Sequence, residues 1–237
     1  RSNRCAQLLR GRGLGRGSAI GVLMRNCAAY YDPCWAAQRS GLYYTPISTH
    51  LTADEVEYIA RDCAAEVMFV SAEFAELARA LHKKLPRVHS WLAVGGEIPG
   101  FERYEAAVAG QPAKPVADEF EGQDMLYSSG TTGKPKGIRV PLSGRRSGDP
   151  DPMAQGLATG FWAIRESDVY LSPAPLYHSA PNAFTVRASR DAAYRKLQEI
   201  RTANESAWRD LQAGVDEAWV SMKNALDTAV TEAGKRS

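Results

Sequence analysis

Hydroxyls, glycines and lysines are crowded into one short run of this chain: Leu126-Tyr127-Ser128-Ser129-Gly130-Thr131-Thr132-Gly133-Lys134-Pro135-Lys136-Gly137. The hydroxyls of Ser128, Ser129, Thr131 and Thr132 can donate to anionic oxygens. Gly130 and Gly133 let backbone N–H groups approach a ligand with no Cβ in the way. Lys134 and Lys136 supply positive charge. Together these groups suit a chain of phosphates. The spacing differs from the common P-loop, which needs four residues between its glycines and then Gly-Lys-Ser/Thr. Here Gly130 and Gly133 are three apart and Pro135 follows Lys134.

Such a loop needs elements to hold it. Leu126 and Tyr127 predict a buried strand entering it, and residues 138–142 (Ile-Arg-Val-Pro-Leu) predict a strand leaving it. Ser-Gly-Thr-Thr-Gly alone is as well suited to an ordinary solvated turn. The full twelve-residue run is more specific and resembles the phosphate-binding signature of the AMP-forming acyl-CoA synthetases, within the adenylate-forming superfamily. A second segment, Pro173-Ala174-Pro175-Leu176-Tyr177-His178-Ser179-Ala180-Pro181-Asn182, is similar to that family's Pro-Leu-Tyr-His motif. A lone histidine is usually a surface or core residue. The resemblance implies that His178 lines the acyl pocket and positions substrate rather than carrying a proton.

The resemblance implies two half-reactions. A carboxylate attacks the α-phosphorus of Mg·ATP to give acyl-adenylate and pyrophosphate, and the thiol of coenzyme A then displaces AMP. Ser128, Ser129, Gly130, Thr131, Thr132, Gly133, Lys134 and Lys136 would form the ATP phosphate site. Lys136 matches the family's loop lysine, while Lys134 stands where the family varies. Mg²⁺ would bridge phosphate oxygens, and no residue is assigned as a metal ligand. The implied partners are a small carboxylic acid, fatty or other acyl, and coenzyme A.

Other function classes find little support. The 237 residues are 44% hydrophobic and 24% charged with a net charge of +2, the profile of a globular protein with no call for nucleic acid. Arg1, Arg4, Arg10, Arg12 and Arg16 lack interleaved aromatics and suit a solvated helix face. Cys5, Cys27, Cys34 and Cys63 are irregularly spaced, which predicts neither zinc ligation nor a disulfide framework. A cytoplasmic location is expected. No apolar run approaches the ~20 residues of a membrane span, and without an apolar signal-peptide core in its opening residues no signal peptide is expected. It begins at Arg1, so a preceding stretch is expected.

Short apolar runs at 19–24, 42–47, 66–70 and 88–94 predict buried strands. Between them lie helical stretches at 3–11, 27–39 (perturbed near Pro33), 53–62 after the capping box Thr52-Ala53-Asp54-Glu55, and from a Ser71 cap to Lys84. The alternation predicts an α/β fold with a largely parallel sheet flanked by helices. Segments 13–20 and 41–52 resemble the family around its first core strand and helix, and read as packing. Further expectations are a short helix at 101–109, an exposed excursion at 143–152, a helix at 153–164 with Phe161 and Trp162 in the core, and a strand at 169–172.

The resemblance covers residues 2–186. No Tyr-Gly-x-Thr-Glu segment, ribose-binding aspartate, hinge or C-terminal lysine domain follows, so the chain is expected to be a partial N-terminal adenylation domain (1–186), not competent alone. All thirteen prolines lie at or before Pro181, and all six phenylalanines at or before Phe184. Residues 187–233 contain one glycine, Gly214, which predicts one long helix of roughly 70 Å. An eleven-residue repeat aligns Trp208 with Trp219, Leu211 with Met222 and Val215 with Leu226. This stripe suits self-association or packing on another helix. The tail at 187–237 falls outside the family, with a junction near Val186/Arg187, natural or artefactual. The alternative function is a non-catalytic, helical oligomerisation or interaction protein carrying a relic α/β domain.

Overall fold

Strands buried along nearly their whole length must be covered on both sides, and the covering alternates residue by residue. In the computed structural model, which describes residues 1–128, 134–149, 175–178 and 182, four strands do this: β1 (Ala19–Leu23), β2 (Tyr43–Pro46), β3 (Ala65–Ser71) and β4 (Ser90–Val94). They are joined by β5 (Glu102–Arg103), β6 (Gln123–Ser128) and β7 (Lys136–Arg139) in the order β5-β4-β3-β1-β2-β6-β7. All neighbouring pairs are parallel except β6 with β7.

One face, bearing Ile20, Val22, Tyr44, Val67, Phe69 and Leu92, packs on α1 (Ser2–Gly11), α2 (Tyr31–Arg39) and α5 (Tyr104–Ala109). The opposite face, bearing Leu23, Tyr43, Met68, Val70, Trp91 and Met125, packs on α3 (Ala53–Asp62) and α4 (Ala75–His82). The expected layered α/β architecture is present. The chain divides into two units at Ala188/Ser189, and every described residue lies in the first.

Local signals explain most boundaries. Thr52 and Glu55 form the full capping box: Glu55 N donates to Thr52 Oγ1 at 3.4 Å, and Thr52 N to Glu55 Oε2 at 2.8 Å. Pro33 falls in the first turn of α2, where its missing N–H has no helical partner to lose. A 3-10 turn at Ala28–Tyr30 precedes it. Gly41, at φ +68°, reverses the chain between α2 and β2.

Several boundaries differ from the sequence expectation. Ser71 does not cap a helix: it is still paired in β3, and its hydroxyl accepts from Arg25 N at 3.2 Å. A 3-10 turn at Ala72–Phe74 intervenes, and α4 ends at His82 rather than Lys84. The helix expected at 101–109 begins only at Tyr104, because Glu102 and Arg103 pair with Leu92 and Ala93 as an edge strand. β4 starts at Ser90 rather than Val88, whose N–H is taken by Leu85 O. The strand expected at 138–142 lies at Lys136–Arg139. The expectations for 153–164, 169–172 and 187–237 lie outside the described residues.

The four cysteines are free thiols: Cys5, Cys34 and Cys63 are buried and Cys27 half-buried. Burial raises each of their pKa values, so they act as small apolar groups. Asp32, 2% exposed in α2, accepts from the Tyr104 hydroxyl at 3.0 Å. Burial still outweighs that bond and raises its pKa. A carboxyl whose folded pKa is raised supports the fold while protonated and loses that support as pH rises through the folded value. Asp32→Asn is therefore expected to melt above the wild type at pH 8, with the gap closing below the ordinary carboxylate range near pH 3. Melting curves across pH check this; a variant less stable at pH 8 would contradict it.

Candidate phosphate site at the carboxyl edge of the sheet

In open α/β sheets the exposed backbone ends and the loops that bind ligands meet at the carboxyl ends of the strands. β6 leaves the body at this edge. Only Gln123 and Asp124 pair with β2, opposite Tyr43 and Tyr44. Met125, Leu126, Tyr127 and Ser128 pair instead with Arg139, Ile138, Gly137 and Lys136 of antiparallel β7. The apolar run expected as a buried strand is thus only half buried at Leu126 and Tyr127 and exposed at Ser128. It is one arm of a hairpin projecting past its neighbour.

Two fastenings set the hairpin. At its base, Glu121, 7% exposed, receives the Arg145 guanidinium at 2.7 Å and 3.0 Å and the Ser143 hydroxyl at 3.2 Å. Backbone bonds from Glu121 N to Arg145 O and from Ser147 N to Glu119 O extend the pairing. The excursion expected at 143–152 is therefore tied back, over its described part, on residues 119–121. Farther out, the Tyr127 hydroxyl donates to Asp62 Oδ2 at the end of α3. Burial, followed by that carboxylate, raises the Tyr127 pKa well above its usual value, so the phenol stays a donor. Tyr127 lies directly over Gly137, where a Cβ would meet its ring Cζ at 2.8 Å and its hydroxyl oxygen at 2.9 Å.

Of the sequence-derived phosphate residues, Ser128 and Lys136 face each other as register partners at the hairpin mouth. Lys136 is exposed and makes no ion pair among the described residues. Lys134 points elsewhere: its ammonium sits 5.4 Å from the centroid of the Tyr58 ring in α3. Ser129, Gly130, Thr131, Thr132 and Gly133 lie outside the described residues.

His178 belongs to a segment docked at the same carboxyl edge. Leu176 N donates to Asn26 Oδ1 at 2.9 Å, just beyond β1. The Tyr44 hydroxyl in β2 accepts from Gln38 at 3.1 Å and donates to Asn182 Oδ1 at 2.7 Å. Asn182, fully buried, donates in turn to Leu176 O at 3.2 Å and to His178 O at 3.0 Å. This leaves the His178 side chain exposed, 4.6 Å from the Tyr177 ring, which meets His50 edge-on. Sequence reasoning missed Asn26, Tyr44 and Asn182 as the anchors of this segment, and Tyr58 and Asp62 as those of the hairpin. The one local signal was the spacing of Asn182 four residues after His178.

The hairpin, with Ser128 opposite Lys136 at its mouth, lies within a family match to AMP-binding enzymes that spans residues 1–187. The chain belongs to the AMP-binding enzyme family. It is 30% identical over 189 residues to the long-chain-fatty-acid–CoA ligase FadD13 of Mycobacterium tuberculosis, covering 76% of this chain and 34% of that protein. It is likewise 30% identical over 172 residues to the 4-hydroxybenzoate–CoA/benzoate–CoA ligase of Rhodopseudomonas palustris, covering 70% and 30%. Among solved structures, the anthranilate CoA ligase AuaEII in complex with anthranoyl-AMP superposes with a TM-score of 0.64 at 29% identity, covering 74% of this chain and 34% of that one. The chain thus spans about a third of the length of the curated AMP-binding relatives it matches. Among its described residues no helix is long and apolar enough to cross a membrane, and no cluster of three or more His, Cys, Asp or Glu could hold a metal ion.

Proposed function

We propose that this chain carries the ATP-phosphate site of an AMP-forming acid–thiol ligase. The enzyme of which it forms part would activate a carboxylic acid, fatty or other acyl, as the acyl-adenylate and pass it to coenzyme A. The carrying observation is the β6–β7 hairpin, which sets Ser128 opposite Lys136 at the carboxyl edge of a parallel sheet. Ser128, Ser129, Thr131 and Thr132 would donate to the triphosphate, with Gly130 and Gly133 leaving room for close approach and Lys136 and Lys134 countering its charge. Mg²⁺ would enter as part of Mg·ATP, on phosphate oxygens.

Displacement at phosphorus depends on positioning and charge neutralisation more than on covalent work by the protein. The chain's contribution is to hold the β- and γ-phosphates still while the carboxylate oxygen attacks the α-phosphorus and pyrophosphate leaves. His178 and Tyr177, held by Asn182 and Asn26, would line the approach of the acid. Coenzyme A thiol then attacks the acyl carbon and AMP departs.

The direct test is exchange of labelled pyrophosphate into ATP by a complete enzyme carrying this sequence, across a panel of fatty and aromatic acids. Exchange that requires one of the acids supports the reading. A folded enzyme that exchanges with none of them, and binds no Mg·ATP, would overturn it.

A further inference from the structure

The β6 arm of the phosphate hairpin and the residue leading towards its β7 arm meet one stripe of α3. Tyr58 and Asp62 are four residues apart, so they are neighbours on the same helical face. Asp62 takes the Tyr127 hydroxyl from the β6 arm, and the Tyr58 ring takes the Lys134 ammonium from the loop's exit. Lys134 is exposed and makes no ion pair among the described residues, so the ring is its partner there. The Tyr58 hydroxyl, for its part, makes no hydrogen bond among the described residues. What Tyr58 offers Lys134 is a π-face.

We propose that Tyr58 is a positioning residue of the phosphate site, whose ring seats the Lys134 ammonium while the site is empty and releases it to a bound polyphosphate. The inference rests on the phosphate-binding reading of this loop. A lysine over a ring is held by the ring quadrupole at modest strength when exposed, whereas contacts to phosphate oxygens are charge-assisted and stronger. Polyphosphate therefore wins the cation, but only after the seat is vacated. A contact made in the empty state and absent from the occupied one weakens apparent affinity by its own equilibrium constant. Asp62, by holding Tyr127, keeps the hairpin arm in place while the lysine moves.

The consequence has an unusual sign. Removing a partner of a site residue normally weakens binding; removing this ring is expected to tighten it. Tyr58→Leu should strengthen binding of Mg·ATP or Mg·pyrophosphate to the 237-residue chain about two- to fivefold. Tyr58→Phe keeps the π-face and should leave affinity unchanged. In a Lys134→Ala background, Tyr58→Leu should have no effect, because the two residues act through each other.

The seat can also be observed directly. Reductive methylation with ¹³C-formaldehyde leaves lysines cationic. The Lys134 signal, assigned by its loss in Lys134→Arg, should be shifted upfield by the ring. It should lose that shift in Tyr58→Leu or on adding Mg·pyrophosphate. An unshifted Lys134 signal overturns the seat whether or not nucleotide binds. Equal or weaker nucleotide binding by Tyr58→Leu overturns the competition while leaving the phosphate site standing. A folded wild-type chain that binds neither probe overturns the proposed phosphate site and, with it, the release step.

Discussion

Lys136→Ala, made in a complete enzyme carrying this sequence, is expected to slow adenylation at least about tenfold, with Thr132→Ala having a loss of similar size. The magnitude follows from where Lys136 stands. It is the first residue of β7, opposite the last residue of β6, so its Cα is fixed by pairing on one side of the hairpin mouth. Its side chain is exposed and without an ion pair among the described residues, so shortening it breaks no ion pair there. The fold should be unaffected, and melting temperature within a degree or two of wild type would show that. The rate loss would instead reflect charge left uncompensated on the departing pyrophosphate, which appears in kcat as well as in KM for ATP. Pre-steady-state formation of acyl-adenylate is the measurement. An unchanged rate in both variants would remove this loop from the phosphate site.

The contrast between Lys136 and Lys134 also marks what the sequence could and could not disclose. Both were legible as loop cations, since residue type and proximity to glycines suffice for that. That one makes no ion pair among the described residues while the other lies on Tyr58 depends on α3 passing beneath the hairpin, a relation between segments some 76 residues apart in number, at 58 and 134. The parallel strands were legible because burial on both faces leaves a continuous apolar run, as in Ala19–Leu23. The cap of α3 was legible because a capping box is complete within four residues. Ser71 misled because serine before a helical pattern usually caps it, whereas here pairing with Val94 prolongs the strand through it. Edge strand β5 has only exposed residues and no apolar signature at all. The Tyr44–Asn182 bond, spanning 138 residues, joins two polar groups that look unremarkable apart and fix the His178 segment together.

The largest effect on stability is expected not in the loop but where β6 begins. Gly122 is wedged between two backbone carbonyls: a Cβ there would lie 2.2 Å from Ala37 O and 2.3 Å from Leu42 O. Neither atom belongs to a movable side chain. Ala37 O already accepts from Leu42 N at 3.0 Å, and Leu42 O from Gln123 N at 3.0 Å. Gly122 N itself donates to Gln38 O at 2.7 Å, which pins the residue in place. Gly122→Ala must therefore push the entry of β6 away from the end of α2, straining several of these bonds together. Overpacking against rigid backbone is expected to cost about 3 kcal/mol or more. Gly110→Ala is the matched control: it sits at the end of α5 at φ −82°, and nothing lies within 4 Å of its Cβ position. There the change should stay within about 0.5 kcal/mol of neutral. Urea midpoints of the two variants, with the slope unchanged, give the comparison directly. Because Gly122 adjoins Glu121, whose clasp with Arg145 closes the base of the hairpin, any Gly122→Ala protein that still folds should also bind Mg·ATP less tightly. Equal midpoints for the two variants would mean that the junction of α2, β2 and β6 yields, and that the hairpin base is not held as rigidly as these contacts imply.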